Sequence, residues 1–167
     1  MVNSFSASTK RKFRGRAPSL LPPATVPLHQ LTGERGARLY GNFGHERDGH
    51  SYDSCWKYGG LVCRIWETQA PGMVPFRRVW SPKSKTWAFP TNDESTNWWI
   101  KERDAIIEYV VGYVYRSDGP CPAGAVPLYG MAKEGIGRYF TISEGERDLC
   151  LRLGAQDLGV LCYVCPP

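Results

Sequence analysis

Three groups of residues in this chain are suited to chemistry. The densest polar run is His45-Glu46-Arg47-Asp48-Gly49-His50, followed closely by Tyr52 and Asp53. Imidazoles that titrate near neutrality, set beside carboxylates, can pass protons or ligate a metal. If the protein is an enzyme, His45, Asp48, His50 and Asp53 are its candidate catalytic groups. The same run also reads as a solvated loop. No HExxH pair, nucleophile elbow or phosphate-binding loop accompanies it, so neither a metal centre nor a cofactor is expected.

The second group sets aromatic rings beside polar side chains. A sugar offers an apolar C–H face and a rim of hydroxyls, and a site for it combines a ring platform with donors and acceptors. Three such sets occur: Arg38 and Tyr40 with Asn42; Trp80, Trp87 and Phe89 with Asn92; Tyr129, Arg138 and Tyr139 with Glu134. Alternate residues of a strand point inward, so core and site readings both stand for each ring. Trp87, beside Lys85 and Thr86 on a polar turn, is expected at the surface.

The third group is the six cysteines, Cys55, Cys63, Cys121, Cys150, Cys162 and Cys165. The terminal Cys162-x-x-Cys165 lacks a second pair with the spacing of a zinc site, and it follows a strand-like run rather than opening a helix. Buried structural thiols are the expectation, without an obligatory disulfide.

The elements that would hold these groups show a regular spacing. Val-Pro-apolar occurs at Val26, Val74 and Val126, and its prolines are 48 and 52 residues apart. An aromatic anchor follows each proline at 13, 14 and 13 residues (Tyr40, Phe89, Phe140). An apolar run begins 20, 20 and 19 residues later, at Gly60, Tyr109 and Gly159. Proline suits the first residue of a strand, where its missing N–H is not needed. The polar stretches TGERG (32–36), SPKSK (81–85) and KEGIG (133–137) are hairpin punctuation. Ser143 to Glu146 forms an S-x-x-E helix start, with Gly154 as its stop. Thr91 or Asn92 caps a helix through about Arg103, while 42–57 fills the helix slot of the first unit, weakened by Gly44 and Gly49.

These signals predict an α+β, β-rich fold. Three units of about 45–50 residues (26–66, 74–116 and 126–165), each strand-turn-strand-helix-strand, would share a core in a closed pseudo-threefold body. Residues 1–25 would form a basic tail ahead of this single domain, 26–167.

Charge and composition narrow the function classes. The net charge is +5, and residues 1–25 carry Lys10, Arg11, Lys12, Arg14 and Arg16 with no acid. The remaining sixteen basic and sixteen acidic residues cancel, so the body has no nucleic-acid signature in its overall charge. The tail is a candidate contact for phosphate groups, anionic lipid or an acidic partner; it also reads simply as a solubilising segment. No apolar run of 18 residues or secretory h-region occurs, so a cytoplasmic protein is expected.

The last unit, VPLYGMAKEGIGRYFTISEGERD…DLGVLCYV, resembles a repeat family of unknown function. Its members run PLYR-x-turn-HFYT-x-S-x-x-ER…YEGIAGYV, alone in fungi or appended to secreted bacterial hydrolases. The resemblance is good over 126–164, moderate over 74–116 and poor over 26–66. The family's aromatic-flanked His is Arg38, Trp87 and Arg138 here. The resemblance implies a β-rich accessory module that binds glycans or surfaces, and it supplies no catalytic residues. Together with the residues above, it gives the functional expectation: a non-enzymatic, lectin-like carbohydrate-binding protein with up to three related shallow sites. The ligand-binding residues would be Arg38, Tyr40, Trp80, Trp87, Asn92, Tyr129, Arg138 and Tyr139, and the ligand a glycan or another small polar molecule. The alternative is a small enzyme with one pocket between the Trp-rich middle unit and the His45–Asp53 segment.

Overall fold

The structure, a computed structural model, describes residues 24–42 and 56–167. Nine strands account for most of it: β1 (Thr25–Thr32), β2 (Arg38–Gly41), β3 (Lys57–Trp66), β4 (Met73–Ser81), β5 (Thr86–Ala88), β6 (Ile106–Arg116), β7 (Val126–Lys133), β8 (Gly137–Thr141) and β9 (Gln156–Val164). Two α-helices interrupt them, α1 (Asp93–Arg103) and α2 (Glu144–Arg152).

All pairings are antiparallel and join into one sheet in the order β2-β1-β3-β6-β9-β7-β8, with β4 and β5 branching from β6. This corrects the predicted α+β class and its closed three-repeat body. Strand makes up 52% and helix 17% of the described residues, so the chain is a β-rich protein organised by one sheet. The physical reason is where the apolar surface lies. Helix α2 buries no residue and α1 buries only Thr96 and Trp99, so helices cover the sheet locally and form no layer of their own. The predicted helix slot at 42–57 falls almost wholly outside the described residues.

The three Val-Pro segments do share a local arrangement. Each opens a strand that is flanked on both sides by the next two strands of the chain. Pro27 lies opposite Arg64, Pro75 opposite Tyr113 and Pro127 opposite Tyr163. The ladder shifts register just after each, between Leu28/His29, Phe76/Arg77 and Leu128/Tyr129, bending the strands around the core.

That core is built by the strands. Leu28, Cys63, Ile65, Phe76, Val114, Leu128, Cys162 and Val164 are buried together with the ring cluster Tyr40, Phe89 and Phe140. Strand β3 meets β6 at Trp66 and Tyr113. Gly112 is required beside this junction, because a Cβ there would sit 2.7 Å from Ile65 Cδ1 and 2.8 Å from the Trp66 carbonyl oxygen. Strand β6 then meets β9 through Tyr115 and Tyr163, and Arg64 and Cys165 form a further bridge between β3 and the end of the chain.

The helix ends follow their sequence signals. Asn92 Oδ1 accepts the Ser95 N–H at 2.7 Å and caps α1. Ser143 Oγ accepts the Glu146 N–H at 3.2 Å and caps α2. Glu146 does not reach back to the cap residue; its Oε2 accepts from the Thr141 hydroxyl at 2.6 Å, and Thr141 Oγ1 takes the Ser143 N–H.

Candidate functional site

The three polar turns come together in space. Residues from all of them, Glu34 from the first, Lys85 from the second and Glu134 from the third, line one concavity of about 800 Å³. The approach is close. A Cβ on Gly36 would lie 3.4 Å from Ile136 Cγ2, and one on Gly137 would lie 3.4 Å from Thr86 Oγ1. Both glycines have positive φ, 81° and 113°, a conformation that L side chains rarely adopt. Glycine suits both positions through this backbone conformation, since a Cβ at either would meet its neighbour only at ordinary contact distance.

Arg138 is part of the lining of this concavity. It follows Gly137 on β8, opposite Ala132 of β7, and shares a strand face with the core residue Phe140 two positions on. Its guanidinium lies 5.0 Å from the centroid of the Trp99 ring. Trp99 comes from α1 and is buried, while Arg138 is half-buried, so the cation stacks on the ring at a partly desolvated position. Burial pulls the Arg138 pKa below its ordinary value, yet guanidinium remains a cation at neutral pH. Arg138 makes no ion pair among the described residues.

Arg138 and Trp99 also line a second, smaller cavity of about 220 Å³. Its floor is apolar, with Phe89, Phe140 and Leu161, and its rim is polar, with Thr91, Asn92, Ser95 and Ser117. Ser95 and Trp99 are one helical turn apart and so share a face of α1.

The other predicted site residues fall into distinct settings. Tyr40 is fully buried. Its hydroxyl donates to Gln30 Oε1 at 3.1 Å and accepts the Phe140 N–H at 2.9 Å, so no ring face is open to a ligand. Trp87 is half-buried and packs on the core. It lies 4.4 Å from Trp80 and edge-on to Trp56 at 5.7 Å between ring centroids, and its indole N–H donates to Glu108 Oε2 at 3.1 Å. That carboxylate also holds the buried Arg78 at 2.6 Å. Arg38 stacks on Tyr139, 4.8 Å from its centroid, and its buried Nε lacks a hydrogen-bond partner among the described residues. Tyr129 carries the guanidinium of Arg147 over its ring at 5.1 Å. Asn92 is committed to the helix cap, though it also borders the smaller cavity. Asn42 is half-buried at the end of β2. His45, Asp48, His50 and Asp53 lie outside the described residues, as does the tail up to residue 23.

Of the predicted residues, the structure therefore gathers Arg138, Asn92, Glu134 and Phe89 around the two cavities. It adds Trp99, Ser95, Ser117, Lys85 and Glu34, which sequence reasoning did not select. Trp99 carried one available signal: it lies at helical spacing from the capped start at Asn92, on the face that must turn inward. The turn residues carried only their hairpin chemistry.

Cys63, Cys121, Cys150, Cys162 and Cys165 are free thiols, with Cys63 and Cys162 fully buried. Among the described residues no cluster of three or more His, Cys, Asp or Glu side chains is placed to hold a metal, and no helix is long and apolar enough to cross a membrane.

The geometry defines a β-rich protein with a turn-lined cavity and a stacked arginine at its wall. A family model described as Domain of unknown function (DUF5648) matches residues 27–165, and the chain belongs to that family. No curated protein and no solved structure matches it.

Proposed function

We propose that the protein is a non-enzymatic carbohydrate-binding protein whose ligand sits in the concavity between the three hairpin turns. The observation that carries this reading is the convergence of those turns on one concavity that Arg138 also lines. At about 800 Å³ the concavity falls within the roughly 300–1,000 Å³ of pockets that enclose a small ligand. Its wall combines carboxylates (Glu34 and Glu134), cations (Lys85, Lys133 and Arg138) and turn backbone. A polyol needs that mixture of acceptors and donors around its rim. In this reading the turns serve one shared site in place of three separate ones. Lys133 is partly committed, since its ammonium donates to the Leu153 carbonyl at 2.9 Å; Lys85 and Glu134 are exposed and remain for the ligand.

The test is a glycan array probed with the intact protein, then with Lys85→Glu and Glu134→Lys. Both positions are exposed turn residues, so the variants keep the fold. Each is expected to weaken binding by about 1–3 kcal/mol, the range for contacts that carry an interface. A wild-type protein that binds no glycan overturns the reading. Undiminished binding by both variants moves the site elsewhere.

A further inference from the structure

The two cavities share Arg138 and Trp99 but differ in size and chemistry. The smaller, at about 220 Å³, lies below the volume that encloses a whole ligand and has room for a single group. We propose that this group is a carboxylate, and that the carbohydrate taken by the larger cavity is therefore an acidic one, held through its carboxylate by Arg138. The inference rests on the carbohydrate reading above and narrows its ligand class.

Four observations carry it. First, the guanidinium is a cation without an ion pair among the described residues, set against a buried ring. A partly desolvated cation gains more from an anion brought to it than one in open water. Second, Trp99 covers one face of the guanidinium, so its in-plane N–H edge is the part that remains for acceptors. A planar carboxylate matches that edge with two parallel hydrogen bonds. Third, the rim of the smaller cavity supplies neutral donors. The hydroxyls of Thr91, Ser95 and Ser117 stand there, and Asn92, whose Oδ1 is occupied by the helix cap, retains its amide N–H2 group. These suit the outer lone pairs of a carboxylate.

Fourth, the neighbouring acids leave the cation uncancelled. Asp93 and Glu94 follow Asn92 directly in the first turn of α1. Asp93 is paired with Arg77 at 3.0 Å but is itself largely exposed, and Glu94 is exposed. The Arg77 charge offsets Asp93, and neither Asp93 nor Glu94 lines the smaller cavity. Arg138 lines both cavities; in this proposal one ligand places its ring among the turns and its acid on the guanidinium.

The experiment is an array that pairs uronic- and sialic-acid-terminated oligosaccharides with their carboxyl-reduced counterparts, probed with the full chain and with Arg138→Lys. The acidic member of at least one pair is expected to bind tenfold or more above its reduced counterpart. Arg138→Lys keeps a charge but loses the fork, and should narrow that preference several-fold while its urea midpoint shows it folded. Sodium phosphate, added as a competitor, should displace the acidic glycan weakly. Equal binding of acidic and reduced members overturns this inference and leaves the carbohydrate reading standing. Binding of neither member anywhere on the array overturns both. An unchanged preference in Arg138→Lys, or displacement by phosphate as strong as by the free acidic sugar, removes the carboxylate assignment. Should Arg138→Lys fail to fold, the paired change Ser95→Ala with Ser117→Ala carries the same expectation: a narrowed preference supports the site, and an unchanged one overturns it.

Discussion

The hydroxyl of Tyr40 accepts the backbone N–H of Phe140 at 2.9 Å, joining residues one hundred positions apart at the centre of the core. The same hydroxyl donates to Gln30 Oε1 at 3.1 Å, and the two rings lie 4.5 Å apart. Burial, partly offset by the Phe140 hydrogen bond, raises the Tyr40 pKa well above its ordinary value, so the phenol stays neutral and keeps both bonds. Tyr40→Phe would leave a buried N–H and a buried amide oxygen unpaired. The expected loss is about 1–3 kcal/mol in urea unfolding, with the ring stack retained. A variant as stable as the wild type would show that water takes over both bonds.

Trp87 tests whether a half-buried ring acts as support or as a platform. It packs against Trp80 and Trp56 and donates to the carboxylate that pairs with Arg78. Trp87→Ala should therefore destabilise the fold by about 3 kcal/mol, the lower end for truncating a buried aromatic, as read by chemical denaturation. A folded, equally stable Trp87→Ala with lost glycan binding would restore Trp87 to the ligand site.

Arg147 of α2 and Asp157 of β9 form an ion pair. The Arg147 hydrogen bond, helped by the Gly159 N–H, holds the Asp157 carboxyl below its ordinary value of 3.8. A depressed folded-state pKa means the carboxylate stabilises the fold at pH values above that ordinary value. The contribution is lost as pH falls through the folded-state pKa. Denaturation midpoints measured from pH 6 down to pH 2 should fall more steeply for the wild type than for Asp157→Asn in that acid range. Parallel curves would mean that the exposed pair contributes nothing measurable.

The thiols should divide by burial. Burial pushes the Cys63 thiol up to about 12, with Cys165 adding to it, and lifts Cys162 well above its ordinary value. Cys121 is exposed. Mild alkylation of the native protein at pH 8, followed by mass spectrometry, should label Cys121 and spare Cys63 and Cys162 until denaturant is added, since the thiolate is the reactive form. Rapid native labelling of Cys63 or Cys162 would contradict the packing of the core, and a stable Cys162–Cys165 bridge would contradict the free thiols.

Much of the local structure was legible in the sequence. The Val-Pro openings, the anchors at Tyr40 and Phe140 and the closing apolar runs became strands, and the signals at Asn92, Ser143 and Gly154 became helix ends, because turns, caps and strand starts depend on residues a few positions apart. The predicted α+β class and closed three-repeat body did not hold. Local pattern places a helix without saying how much apolar surface it buries, and here one sheet buries nearly all of it. The site was legible only in part. Arg138, Glu134 and Asn92 were selected from their chemistry, but Tyr40 and Trp87 were selected on the same grounds and face inward or sideways. Strand alternation says that neighbouring side chains take opposite faces, and leaves open which face is the core.

By itself, then, the sequence determined the strands, the turns, the caps and the neutral charge of the body, all properties carried by short windows of chain. The tertiary structure alone decided that three turns spread over a hundred residues meet around one cavity, and that Arg138 lies half-buried against Trp99. Those contacts come from the register of β7, β8 and β9 and from the packing of α1 against β4. Long-range pairing of this kind is set by the burial of the whole apolar surface at once, and no stretch of chain read alone contains it.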